Sequence, residues 1–197
     1  MIAALLDAKR AIPGVIRMLA GDQEYRASFD VSPGGVIRSF FAAICAIPFA
    51  GFEAGVTNAL ARARSFEGET VLEPYSLALI AVRWLVVWAY FPFFAALVTR
   101  LVGRREHFAP WVVVHNWTHL FVVMLPAPAY LLLVTGAPGA AQPLLLVVVV
   151  VSVYAFVRAA GAALETGWRV AVMAGCANMS MLLLINAWLA QAFQALG

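Results

Sequence analysis

His115-Asn116-Trp117-Thr118-His119 is the densest group of polar side chains inside an otherwise apolar stretch. His115 and His119 stand one helical turn apart, a spacing that binds a metal when other helices bring further ligands. The rest of the chain brings few. The one other histidine, His107, opens the same stretch, so a single copy does not supply the two opposed axial ligands of a b-type haem. Hydrogen bonding between helices, with Asn178 and Asn186 as partners, is the favoured role for His115, Asn116 and His119, and neither metal nor cofactor is expected.

Arg83 is the second group of interest, about two turns inside its apolar segment. A charge at that depth is costly and is usually paired. Glu53 sits at comparable depth in the preceding segment, which predicts an Arg83–Glu53 ion pair joining two helices. The competing arrangement has Arg83 reaching headgroups beside Trp84 and Trp88. No serine stands in a nucleophile-elbow setting with a paired histidine, and no carboxylate lies near a span midplane; Glu165 falls between two segments. A non-enzyme is expected. Cys45 and Cys176 lie in apolar runs and are expected to be free thiols.

The elements that must position these residues follow from composition. Of 197 residues 64% are hydrophobic and 12% charged, with mean hydropathy +0.90; a soluble domain carries about 25% charged residues. A bilayer core is crossed by roughly 20 apolar helical residues, and five stretches qualify: about 36–57, 76–99, 108–135, 141–160 and 169–196. The fold expected is all-α, a polytopic bundle of five transmembrane helices over residues 32–197, preceded by an amphipathic interfacial segment over 1–31. Pro92 should kink the second span, and Pro126 and Pro128 the third, which can be broken there. Leu144 to Val151 has no polar side chain, so the fourth span is expected to face mainly lipid.

Small residues mark the packed faces. Ala42, Ala46, Ala50 and Ala54 recur every fourth residue in the first span with Ile47, Gly51 and Gly55 alongside, a stripe that lets another helix approach, from this chain or a second copy. On the fifth span Ala171, Gly175, Asn178, Leu182 and Asn186 keep to one face, which should turn inward, with Trp188 further along.

Residues 2–19 are interrupted by Asp7, Lys9 and Arg10 and therefore fail as a cleavable signal. Ile2, Leu5, Leu6, Ile12, Val15, Ile16 and Leu19 share one side of a wheel, with Asp7, Arg10 and Arg17 opposite and Lys9 out of place. Such a helix lies in the lipid interface, with Lys9, Arg10 and Arg17 among phosphates, or packs on the protein's own loops; Pro13 can split it. With the N-terminus in the cytoplasm, ten basic residues fall inside (Lys9, Arg10, Arg17, Arg26, Arg38, Arg100, Arg104, Arg105, Arg158, Arg169). Only Arg62 and Arg64 fall outside, beside Glu67, Glu69 and Glu73. That bias predicts an inner-membrane protein with a periplasmic C-terminus. Twelve arginines to one lysine point to a GC-rich bacterial genome. Scattered basic clusters beside apolar runs fit lipid headgroups, and no nucleic-acid partner is expected.

Trp88, Phe91-Pro92, Leu101, Gly103, Arg104-Arg105, Phe108 and Asn116-Trp117 form a pattern that resembles a family of uncharacterised bacterial inner-membrane proteins, itself similar to the Yip-domain five-span proteins linked to vesicle traffic. The likeness covers about the last two thirds of the chain, chiefly through helix order. It implies a five-helix bundle with a cytoplasmic N-terminus, and Asn116 and Trp117 as matched motif residues. The Asp-Leu-Tyr-Gly-Pro type segment and the Gly-Tyr signature are missing, so association with small GTPases is not carried over. The function expected is a scaffold or accessory subunit of a larger membrane complex, with a membrane-protein partner or a homo-oligomer. The alternative is a small permease or carrier component with a polar path near Arg83, His115, Asn116 and His119.

Overall fold

A computed structural model describes residues 2–66 and 76–194, and among them no strand occurs. The elements in order are α1 (Ile2–Ala20), a 3-10 turn (Gln23–Ser28), α2 (Pro33–Ser39), α3 (Phe41–Phe66), α4 (Leu77–Leu101), a second 3-10 turn (Arg105–His107), α5 (Phe108–Met124), α6 (Ala127–Val134), α7 (Pro138–Leu164) and α8 (Trp168–Gln194). Five stretches are long and apolar enough to cross a bilayer: Pro33–Ala63, Leu77–Leu101, Arg105–Val134, Pro138–Leu164 and Trp168–Ala192. The chain is a multi-pass, all-α membrane protein. Glu67, Glu69 and Glu73 lie outside the described residues.

Local chemistry sets the helix ends. Ser32 caps α2, its Oγ accepting from Gly35 N at 3.1 Å, and Ser76 caps α4 through Leu79 N at 3.1 Å. Gly103 ends α4 at φ +69°, where Arg104 N reaches back to the Thr99 carbonyl at 2.7 Å. The third span breaks where its prolines predict, α5 stopping at Met124 and α6 restarting at Ala127. Pro92 does not interrupt its helix: α4 runs through it, as α3 runs through Pro48 and α7 through Pro143.

The core is centred on α5, where every residue from Trp111 to Leu120 is buried. Helices α7, α3 and α4 pack around it. The fourth span departs from the expected lipid-facing helix. Leu146, Val147, Val149 and Val150 are exposed, but Ser152, Ala155, Phe156, Ala159, Ala160 and Ala163 are buried, and α7 is the principal partner of both α5 and α8. Alanines spaced by three and four residues let the helices close, which the polar-free run upstream does not reveal. Lipid exposure is greatest on α4, whose apolar window is 17% buried against 28% for the third, fourth and fifth spans.

In α3, Ala42, Ala46 and Ala54 are buried and Ala50 is half-buried, in the helix that packs on α5 and α6. Ile47, Gly51 and Gly55 are not part of that interface. They face outward, and a Cβ on either glycine would meet open space. The inward face of α8 comprises Ala171, Ala174, Gly175, Asn178, Leu182 and Leu189, while Trp188 is exposed.

Helix α1 lies on one end of the bundle with one buried side and one exposed side, and the exposed side mixes apolar with basic residues. Ala4, Ala11, Val15 and Met18 are buried on the side of the helix that packs on the bundle, and Gly14 is buried against Ser28 and Phe29 of the following turn. Leu5, Leu6 and Ile16 are exposed, as are Lys9, Arg10 and Arg17. Asp7 does not sit on the polar side; it is buried, bonded to Arg10 at 2.6 Å and to Arg38 of α2 at 2.6 Å. A buried carboxylate needs such partners, and Arg38 also pairs with Asp30. At its C-terminus α1 is gripped by α7: Tyr154 donates to the Leu19 carbonyl at 2.8 Å, and Arg158 to that of Met18 at 2.8 and 3.2 Å. The Tyr25 hydroxyl, donating to the Ala162 carbonyl at 3.2 Å, fastens the following turn.

Hydrogen bonds from the Ser32 side chain and amide, with Arg38 behind them, hold the Asp30 carboxyl below its ordinary value of 3.8. A lowered carboxylate pKa adds stability above the unfolded value and loses it as pH falls through the folded one. Acidification below about pH 4 is therefore expected to loosen α1. A spin label at Lys9→Cys, with both native cysteines replaced, should gain mobility there. With Asp30→Asn the label should be mobile at neutral pH too; unchanged spectra would exclude the clasp as what seats α1.

Candidate functional site

Far from α1, the bundle opens. A cavity of about 200 Å³ lies between α3, α4, α5, α7 and α8, walled chiefly by aliphatic side chains such as Leu79, Val87, Val122 and Leu182. Arg83, Glu53 and Asn186 supply its polar groups, and His119 with Phe156 reaches it from the core. A smaller space of about 110 Å³, bounded by Thr57, Leu189 and Ala190, touches the same three polar residues.

Arg83 ties three helices together. Its Nε donates to Asn186 Oδ1 at 2.5 Å, and its Nη2 to Glu53 Oε1 at 3.5 Å. The Asn186 amide is oriented by donating from Nδ2 to the Leu182 carbonyl, one turn back, at 2.7 Å. Arg83 and Glu53 thus meet as depth in their spans predicts, and Asn186 joins them. Both charged side chains are about one third exposed, at 36% and 29%. This fork is long on the Glu53 side and tight on the amide side, so its directional contact is the hydrogen bond rather than the ion pair.

His115 lies deeper. Its ring stacks on Phe91, centroids 3.3 Å apart and planes 4° apart, and faces Phe156 at 5.3 Å on the other side. His119 packs on Trp88 at 4.8 Å and stands 5.5 Å from His115. Aromatic stacking rather than amide bonding surrounds these two rings. Among the described residues no group of three His, Cys, Asp or Glu is gathered closely enough to hold a metal. Cys45 and Cys176 are free.

The amides do not pair with the histidine segment as expected. Asn116 Nδ2 donates to Ser39 Oγ of α2 at 2.9 Å, and Asn178 Oδ1 accepts from the Tyr90 hydroxyl of α4. The reason is helical phase: Asn116 looks toward α2, whereas Asn178 and Asn186 look toward α4, which packs on α8 beside α7. Trp117 is buried beside Asn116. Neither Ser39 nor Tyr90 stands out in an apolar run of sequence, yet each offers a hydroxyl facing an amide.

Ser39 Oγ also donates to the Val36 carbonyl at 2.7 Å, so the two sides of its contact with Asn116 are unequal. Ser39→Ala orphans the buried amide and is expected to cost about 1 kcal/mol. Adding Asn116→Leu should recover part of that loss in thermal unfolding of the purified protein. A double variant no better than the single one would remove the contact from the account.

No family model, curated protein or solved structure matches the chain.

Proposed function

We propose that the protein is a non-enzymatic inner-membrane protein that acts by association, as an accessory subunit or scaffold within a larger membrane complex, with its N-terminus in the cytoplasm. The observation that carries this reading is the outward face of α3, where Gly51 and Gly55 have open space above them beside exposed Ile44 and Ile47. Small residues with open space above them among the described residues suit the close approach of a helix from outside the chain. The ten-to-two basic bias and the Yip-like helix order agree with this orientation. Cysteines placed at Gly51 or Gly55 in native membranes should crosslink to a partner or a second copy. A chain that yields no adduct and purifies as a bare monomer in mild detergent would end this proposal.

A second reading, as a small permease or carrier component, is favoured by the cavity that joins Arg83 and His119. Against it, His115 lies between Phe91 and Phe156, Asn116 is committed to Ser39, and α1 covers the opposite end. Solute uptake into proteoliposomes that Arg83→Ala abolishes would favour the carrier over the accessory role.

A further inference from the structure

The end of the bundle that carries α1 has a cavity of its own. It measures about 420 Å³, within the range of ligand sites, and lies between the 3-10 turn of 23–28, the last turns of α7 and the first of α8. Two guanidinium groups border it, Arg26 and Arg158, with Gln23, Thr166 and Trp168.

The charges around it are unequal. Arg26 is paired with Glu165 at 2.9 Å. Arg158 bonds only to the Met18 carbonyl and has no carboxylate partner among the described residues. The negative end of α1 offsets about half of its charge, so the two arginines and Glu165 together leave the cavity positive. The Thr166 hydroxyl oxygen, in the wall of this cavity, is buried with no hydrogen-bond partner among the described residues. One residue on, Gly167 precedes α8 and has no side chain with which to cap it; its carbonyl takes the Val170 and Ala171 amides, so the positive end of the helix dipole borders the cavity without a side-chain cap from that position.

The surroundings select the kind of anion. Trp168 is 73% exposed at the rim, as tryptophan is where headgroups meet acyl chains. Below it along α8, Val172 and Met173 are exposed and apolar. A soluble anion would use the arginines and leave that apolar track idle. The geometry points to a binding site for an anionic phospholipid, its phosphate between Arg158, Arg26 and the Thr166 hydroxyl and its chain along Val172 and Met173. This site is separate from the α3 face and from the Arg83 cavity, so neither functional reading above bears on it.

Trp168 is the reporter. The full chain is reconstituted in phosphatidylcholine with increasing amounts of chain-brominated phosphatidylglycerol, or of chain-brominated phosphatidylcholine as control. The quenching assigned to Trp168 is the part lost in Trp168→Phe. Brominated phosphatidylglycerol is expected to quench it at about fivefold lower mole fraction than the control lipid, and Arg26→Gln to remove most of that preference. Arg26 is the variant of choice because its side chain is 59% exposed, whereas Arg158 also holds α1. Equal quenching by the two lipids, or a preference untouched by Arg26→Gln, overturns the proposal. Displacement of the lipid by millimolar inorganic phosphate overturns it too, and assigns the cavity to a soluble anion.

Discussion

Gly175→Leu is expected to unfold most of the protein at temperatures where the parent chain is intact. A Cβ at this position would lie 2.6 Å from both the Cα and the amide nitrogen of Val157, atoms of the α7 backbone that have no rotamer to escape into. The helices must separate, and α7 with α8 is the most extensive helix pair in the bundle. Overpacking of this kind costs about 3 kcal/mol when relief requires backbone movement. Gly161→Ala should be far milder, because its nearest contact is the Ala171 methyl at 3.2 Å. Gly51→Leu should leave stability unchanged while blocking the crosslinks expected of the α3 face. Thermal unfolding followed by size-exclusion chromatography separates the three. If Gly175→Leu melts within a few degrees of the parent, the α7–α8 crossing is not as close as described.

The spans were legible because lipid imposes one rule on all of them, and the alanine and amide faces of α3 and α8 were legible because each repeats at the helical period. What periodicity alone does not give is which helix lies opposite. Arg83 and Tyr90 are seven residues apart on α4, and Asn186 and Asn178 eight apart on α8, so two helices running in opposite directions match both polar pairs at once. That match is visible in the sequence only after α4 and α8 are known to be neighbours. Asn116 misled for the same reason, since its partner Ser39 lies on a helix preceding the main body of the first span. A helical wheel places Asp7 on the wetted side of α1 because it treats a carboxylate as polar, not as half of a buried clasp with Arg38. In the fourth span a strongly apolar first half hides a second half built for packing.

The Arg83 cluster decides between pairing and snorkelling, and a double-variant cycle measures the difference. At about 4 Å two unit charges attract by about 4 kcal/mol under an effective dielectric constant of 20. One-third exposure of both side chains and a 3.5 Å monodentate contact reduce this toward the value of surface pairs. Polar contacts within membrane bundles couple by about 0.6 kcal/mol on average and by no more than about 1.7. A coupling near 1 kcal/mol between Arg83→Leu and Glu53→Leu is therefore expected. Arg83→Leu alone should cost more, about 2 kcal/mol, because it leaves Glu53 charged at depth and also orphans the Asn186 carbonyl oxygen. Arg83→Lys should recover little of that loss, since an ammonium cannot span Asn186 and Glu53 with the fixed fork of a guanidinium. The exchange Arg83→Glu with Glu53→Arg should regain the charge pair but not the Asn186 contact, and so return only part of the stability. An arginine that merely reached for headgroups would show no coupling to Glu53, and the exchanged chain would be no better than the worse of its two single variants.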